Sequence, residues 1–190
     1  MILTLDVENT VTKRNGKMHL DPFEPTNTLV MVGMLDDHGR ENIVTFDHSE
    51  HQPTTDGRRI VQDALDAAPL LIAHNAPHDL LWLWEAGFKY DGRVCDTMLV
   101  EYVLNKGIKR PLSLKACCEF RGVVQKSDLT AQYMKDKISF QYIPIHIVEE
   151  YGRLDVKATR SLFDSQMLQL KKPQHKHLIK TIQNMCQFVV

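Results

Sequence analysis

The sequence has no Cys-x-x-Cys pair, no long apolar run and no surplus of either charge, and each lack closes off a class of protein. Its 4 cysteines, Cys95, Cys117, Cys118 and Cys186, lack the spacing of a disulfide framework or a zinc knuckle. The adjacent Cys117 and Cys118 read as small buried hydrophobes. No apolar stretch approaches the length needed to span a membrane, and the N-terminus reaches Asp6 too soon for a signal peptide. Lys plus Arg number 23 and Asp plus Glu 24, for a formal net charge of −1. That excludes a polybasic protein that wraps nucleic acid by uniform positive charge, so any polyanion must be met through a local groove or a bound metal. What is present is ordinary: 190 residues, 43% hydrophobic and 25% charged, enough for one sizeable core and marginal for two domains. The expectation is a reduced, cytoplasmic, single-domain protein.

Hydrophobic periodicity then orders the elements. Residues 2–11 alternate and are rich in Thr, Val, Leu and Ile, which predicts a strand; 28–35 predicts a second, and 42–46 pairs back across the 36–39 turn as a third. Ile60, Val61, Ala64, Leu65 and Ala68 fall at helical spacing over 58–68, and Pro69 stops that helix. The all-apolar run 70–73 reads as a central strand buried on both faces. It leads into Pro77, which opens a helix through Leu80 to Trp84, with Gly87 as its C-terminal cap. A short strand at 93–96 precedes helices that run to the end, and 106–127 is broken into short helices and loops by Gly107, Pro111 and Gly122. Three strands followed by alternating helix and strand predict a ribonuclease-H-like α/β fold: a mixed five-stranded sheet, one strand antiparallel, helices on both faces.

The chemistry lies in acids that this order brings together. Asp6 and Glu8 are two apart on the first strand and leave the same face. Asn75 and Asp79 are four apart at the carboxyl end of the buried strand, where open α/β sheets place ligands. Tyr151 and Asp155 are four apart on a helix and continue its apolar stripe of Ile147, Val148, Leu154, Ala158 and Leu162. An acid on an inward face needs a partner, and no Lys or Arg shares the stripe near Asp155. Each residue alone has an ordinary explanation as turn, cap or core. Together, four converging acids call for hard divalent cations with oxygen ligands, and two such ions about 4 Å apart clamp a phosphodiester during hydrolysis.

D-V-E at 6–8, N-A-P-H-D at 75–79 and Y-G-R-L-D at 151–155 resemble, in order, the three motifs of the DEDD 3′–5′ exonucleases. One branch of that family carries His five residues before the last Asp and the other Tyr four before it. Position 150 is Glu and position 151 is Tyr, so the chain resembles the tyrosine branch. C-D-T-M-L-V-E-Y at 95–102 and the stretch 143–162 are similar to the proofreading domain of family-A DNA polymerases of phage type. The likeness spans roughly residues 1–170. In that family a polymerase module follows, so the expected division is an exonuclease domain over 1–172 and a C-terminal helix over 173–190 leading toward a polymerase in cis or in trans.

The resemblance implies a proofreading enzyme acting on the 3′ end of single-stranded or frayed DNA, with two Mg²⁺ or Mn²⁺ ions, in a cytoplasm (the host's, if phage-encoded). Asp6 would bridge both ions, Glu8 and Asp155 would hold the ion that activates water, and Asp79 would hold the second through water. Tyr151, too weak a base at neutral pH, would orient the water. Asn75 would support the metal-holding residues or contact the substrate near the terminal nucleotide, and the backbone after Glu8, at Asn9 and Thr10, would approach the terminal 3′-OH. Other candidates read as structural: His74 at a strand end, Asp96 as a helix cap, Trp82 and Trp84 as core, His175 and His177 as surface. Lys106, Lys109, Arg110 and Lys115 form one basic stretch near the substrate side, and Lys171, Lys172, Lys176 and Lys180 a second. The alternatives are an RNase-D-like exoribonuclease and a silent binding domain.

Overall fold

The first strand, β1 (Ile2–Asn9), turns Leu3, Leu5 and Val7 to one face and Thr4, Asp6 and Glu8 to the other, and it lies in the middle of a five-stranded sheet. The computed structural model describes residues 1–51, 55–124 and 128–187. After β1 come a small ribbon of β2 (Thr12–Arg14) and β3 (Lys17–His19), then β4 (Leu29–Asp36), β5 (Glu41–Thr45), α1 (Thr55–Asp66), β6 (Leu70–Ala73), α2 (Ala76–Glu85) and β7 (Arg93–Asp96). Helices follow: α3 (Thr97–Leu104), α4 (Leu114–Arg121), α5 (Ala131–Lys135), the long α6 (Ile145–Leu170) and α7 (Leu178–Cys186). The order across the sheet is β5-β4-β1-β6-β7. Strand β4 runs antiparallel to both β1 and β5, while β1, β6 and β7 run parallel. This is the mixed sheet with one antiparallel strand that the element order predicts.

Two layers of helix cover the sheet. Leu3, Leu5 and Val7 form the main core with Val61 and Leu65 of α1 and Leu80 and Leu83 of α2. On the opposite face Val30 and Met31 pack with Val148 and Tyr151 of α6 and with Phe140. Helix α7 docks on this same body, placing Ile182 and Cys186 against Val100 and Leu170. A buried ion pair joins the outer helices. The Arg121 guanidinium donates twice to Glu101, at 3.0 Å each, and Gln166 Nε2 donates to the same carboxylate at 2.9 Å. No helix among the described residues is long and apolar enough to cross a membrane.

Three expectations need correction. The predicted strand over 2–11 ends at Asn9, where the ladder with β4 shifts register between Glu8 and Asn9, and residues 12–19 fold back as a hairpin of their own. Its turn is Asn15-Gly16, both in the left-handed region at φ 49° and 76°, the pair that two-residue hairpins favour. The helix read as 58–68 spans Thr55–Asp66. Trp82 is core at 2% exposure, but Trp84 is 37% exposed. Ser127 and the last three residues, to which the broken stretch and the apolar terminus extend, lie outside the described residues. The four cysteines are free thiols, with Cys117 and Cys118 buried.

Helix α6 approaches the sheet where two glycines meet. A Cβ on Gly33 of β4 would stand 3.2 Å from Val156 Cγ1 and 3.3 Å from the Gly152 carbonyl oxygen, and one on Gly152 would run into the Met31 methyl group. Glycine mid-strand commonly marks such a close backbone approach. Gly33→Val is therefore expected to lower stability by about 1–3 kcal/mol through overpacking. Urea denaturation with an unchanged m-value would measure it, and a neutral substitution would show that α6 is not held at contact distance.

Candidate metal centre and strand cleft

The two strand acids and the helix acid converge. One carboxylate oxygen each from Asp6, Glu8 and Asp155 lies within 4.8 Å of the others. Asp6 and Glu8 come from the end of β1, and Asp155 reaches them from α6, where it is 1% exposed. Were all three ionised, each pair would repel by about 3 kcal/mol at an effective dielectric constant of about 20. The nearest cations in sequence do not relieve this. Arg153 and Lys157 are turned to Glu41 on β5, at 3.4 and 2.9 Å. Three oxygen donors gathered in this way fit a hard divalent cation.

Asp79 stands beside this cluster. It is 2% exposed, and its Oδ1 accepts from the Val7 amide at 3.1 Å, which ties the first turn of α2 to β1. Burial, and next the charge of Asp6, push its carboxyl well above the usual range. Tyr151 packs its ring against Phe140, with centroids 5.7 Å apart, while its hydroxyl donates to Asp155. Burial, followed by the charges of Glu8, Asp155 and Asp6, raises that hydroxyl far above its ordinary range, so it stays protonated. Tyrosine here is a donor and not a base.

Asn75 sits where β6 passes into α2, in a left-handed conformation at φ 70°, which asparagine tolerates better than most residues. It is held there by Asp96, which is fully buried. Asp96 accepts from the amides of Asn75 at 3.0 Å, Ala76 at 3.2 Å and Met98 at 2.8 Å. The predicted cap of α3 is thus also the anchor of the Asn75 turn, a role that spacing alone does not reveal. His74 spans Thr97 Oγ1 at 2.9 Å and the Leu112 carbonyl at 2.8 Å, in keeping with its structural reading. Beyond the turn, a cleft of about 500 Å³ is lined by Asp6, Asn75, Met98, Leu112 and Lys115. A larger hollow of about 710 Å³, between the 22–28 loop, α1 and α2, is lined by none of Asp6, Glu8, Asp79 and Asp155.

Asn9 and Thr10 are placed differently from Asn75. Both side chains are buried. Asn9 Nδ2 donates to the Thr10 carbonyl at 2.6 Å, the Thr10 amide donates to the Thr28 carbonyl, and the Thr10 hydroxyl accepts from the Thr28 amide. Their polar groups serve the frame at the end of β1.

With this geometry in view, solved structures supply the comparison. The Mg²⁺-bound NrnC of Brucella melitensis is 17% identical with a TM-score of 0.65, covering 99% of this chain and 81% of NrnC. Escherichia coli RNase D, an exoribonuclease involved in structured RNA processing, is 13% identical with a TM-score of 0.62, covering 99% of this chain and 44% of RNase D. The POL domain of Pol1 from M. smegmatis, solved with DNA primer-template and dNTP, is 14% identical with a TM-score of 0.54, covering 93% of this chain and 25% of Pol1. The fold is the ribonuclease-H-like exonuclease fold. No family model matches the chain, and no curated protein matches it by sequence. Identities this low carry the architecture and leave substrate and chemistry to the site.

Because Asp79 holds its proton more tightly folded than unfolded, the folded state binds more protons above pH about 4, and stability falls as pH rises through that range. Asp79→Asn removes this penalty while keeping an oxygen for the Val7 amide. Metal-free Asp79→Asn is expected to melt above the parent protein at pH about 7 and to match it near pH about 4. Identical melting curves at both values would show that the carboxyl carries no such penalty.

Proposed function

We propose that the chain is a metal-dependent 3′–5′ exonuclease of the tyrosine branch, acting on single-stranded or frayed DNA ends as the proofreading domain or subunit of a family-A polymerase. The observation that carries this reading is the convergence of Asp6, Glu8 and Asp155 within 4.8 Å, beside buried Asp79 and Tyr151. Asp6, Glu8 and Asp155 would hold the divalent ions, with Asp79 beside them for the second. Bound there, the ions supply Lewis acidity, neutralising charge on the scissile phosphate and lowering the pKa of water.

The remaining work falls to the chain's own groups. Asp155 accepts the Tyr151 hydroxyl, which fixes both side chains relative to the cleft. The hydroxyl keeps its proton and contributes position. Asn75 presents an exposed amide side chain on the rim of the cleft that Asp6 also lines, suited to the sugar or base at the strand end. With the side chains of Asn9 and Thr10 turned inward, contact from that segment falls to the backbone beside the bulge. A cleft of about 500 Å³ suits a single strand end, and opening a duplex requires roughly 1–2 kcal/mol per base-pair step. Single strands are accordingly the preferred substrate.

The deciding assay gives purified protein Mg²⁺ or Mn²⁺ and end-labelled DNA and RNA strands of matched sequence. Stepwise shortening of DNA from the 3′ end, slower on a matched duplex, is expected. Faster shortening of RNA would favour the exoribonuclease reading, and no shortening of either would leave a silent binding domain. Within an active enzyme, Asp155→Asn is expected to lower single-turnover cleavage by on the order of 10³-fold, about 4 kcal/mol of barrier. Tyr151→Phe removes one hydroxyl donor and should lower it about tenfold to thirtyfold, or roughly 1–2 kcal/mol. A Tyr151→Phe enzyme more damaged than Asp155→Asn would overturn the division of roles.

A further inference from the structure

Residues 9–20 contain three cations, Lys13, Arg14 and Lys17, and no acid, in a chain whose formal net charge is −1. They are carried by the β2–β3 hairpin, which leaves the sheet directly after the strand end that bears Asp6 and Glu8. Five residues separate Lys13 from Glu8, so the extended backbone places it within about 17 Å. The hairpin's root is fixed. Asn27, 8% exposed, accepts from the Thr12 hydroxyl at 2.6 Å on one strand and donates to the Asp21 carbonyl at 2.9 Å just beyond the other. Thr10 Oγ1 donates to Asn27 Oδ1 at 3.5 Å, which joins that knot to the end of β1.

Stability alone does not account for the hairpin's charges. A lone two-stranded ribbon is marginal, and here Arg14 stands directly opposite Lys17 in the ladder, where like charges disfavour pairing. Glu24 answers Arg14. Lys13 and Lys17 are exposed and have no ion-pair partner among the described residues. Next to them, the acid cluster repels any phosphate that is not met by a metal. Two exposed lysines, one on each face of the ribbon because Lys17 lies opposite Arg14 and Lys13 opposite Met18, stand within a Debye length or two of those acids and supply the attraction that the net charge does not.

We propose that the β2–β3 hairpin is a phosphate-binding arm, with Lys13 and Lys17 holding the backbone of the single strand that leads into the acid site. The contact is to phosphodiester charge, so DNA and RNA are held alike and no base is read. This rests on the nuclease reading for its strand but is measured by binding, which does not require cleavage. Fluorescence anisotropy with labelled strands of about a dozen nucleotides, DNA and RNA in parallel and Ca²⁺ in place of Mg²⁺, compares the parent protein with Lys13→Gln/Lys17→Gln. A control variant, Lys171→Gln/Lys172→Gln, removes the same charge about 24 Å along α6 from Asp155.

Loss of two single-strand phosphate contacts should weaken binding roughly tenfold to thirtyfold at about 0.1 M salt and flatten the slope of log K against log salt by about 1.4. Lys13→Arg/Lys17→Arg should restore both, and the control should change neither. With Mg²⁺, the hairpin variant should raise the KM for a strand, and the control should turn over as the parent does. Unchanged affinity and slope, or an equal loss in the control, would overturn the arm. A parent protein that binds strands and never shortens them would overturn the nuclease reading while leaving the arm to be judged on binding.

Discussion

The distance between α6 and the sheet governs the rest of the site. Gly33 lies directly opposite Asp6 in the β1–β4 ladder, and Gly152 lies between Tyr151 and Asp155 on the helix. With no Cβ at either position the two backbones meet, and Asp155 comes into reach of Asp6 and Glu8. The carboxylates resist that approach by several kcal/mol when ionised. The opposing attraction is the apolar face of α6, where Val148, Val156, Ala158 and Leu162 are fully buried. At about 1.5–3 kcal/mol for each large side chain, that face offers an attraction of the same order as the repulsion it opposes.

The same balance makes the acids and the tyrosine legible in the sequence. A polar residue interrupting an apolar stripe stands out, as Asp155 and Tyr151 do on α6, and the pair Asp6 and Glu8 shares a face by the strand period alone. Strands β6 and β7 occupy the spans that their composition predicts, because an apolar run closed off by Pro69 or by a helix cap leaves little freedom in its ends. Residues 2–11 mislead for the opposite reason. Thr and Val continue the alternation past Asn9, and only the Asn15-Gly16 pair announces that the chain turns back on itself. Trp84 shares a helix with Trp82, but at a two-residue offset it falls on the other side.

What stays hidden in the sequence is tertiary. Asp96 caps α3 through Met98, which spacing suggests, yet its other two bonds reach back to the turn before α2 and can be seen only when β6 and β7 lie side by side. Gly33 is one glycine in an apolar strand until Val156 and the Gly152 carbonyl are found against it. Asn27 reads as a polar residue in a loop, and its bonds to Thr12 and Asp21 define where the hairpin can stand.

Charge is segregated by element in a way that the net value conceals. The acids sit near the end of β1, in the first turn of α2 and on the inward face of α6, and the cations nearest them on α6 are turned outward to Glu41. Among the described residues, positive charge near the site stands at exposed positions, on the hairpin beyond β1 and at Lys115 on the far wall of the cleft, where it is paired with Asp128 at 2.8 Å. A cation in direct contact with Asp6 or Asp155 would neutralise the carboxylates and compete with a metal ion for their oxygens. One held a strand's width away leaves the oxygens available and still lowers the potential that an approaching phosphate meets. A metal-binding site that must also accept a polyanion therefore favours acids within and cations at the margin, and a near-zero net charge is the sum of those two demands.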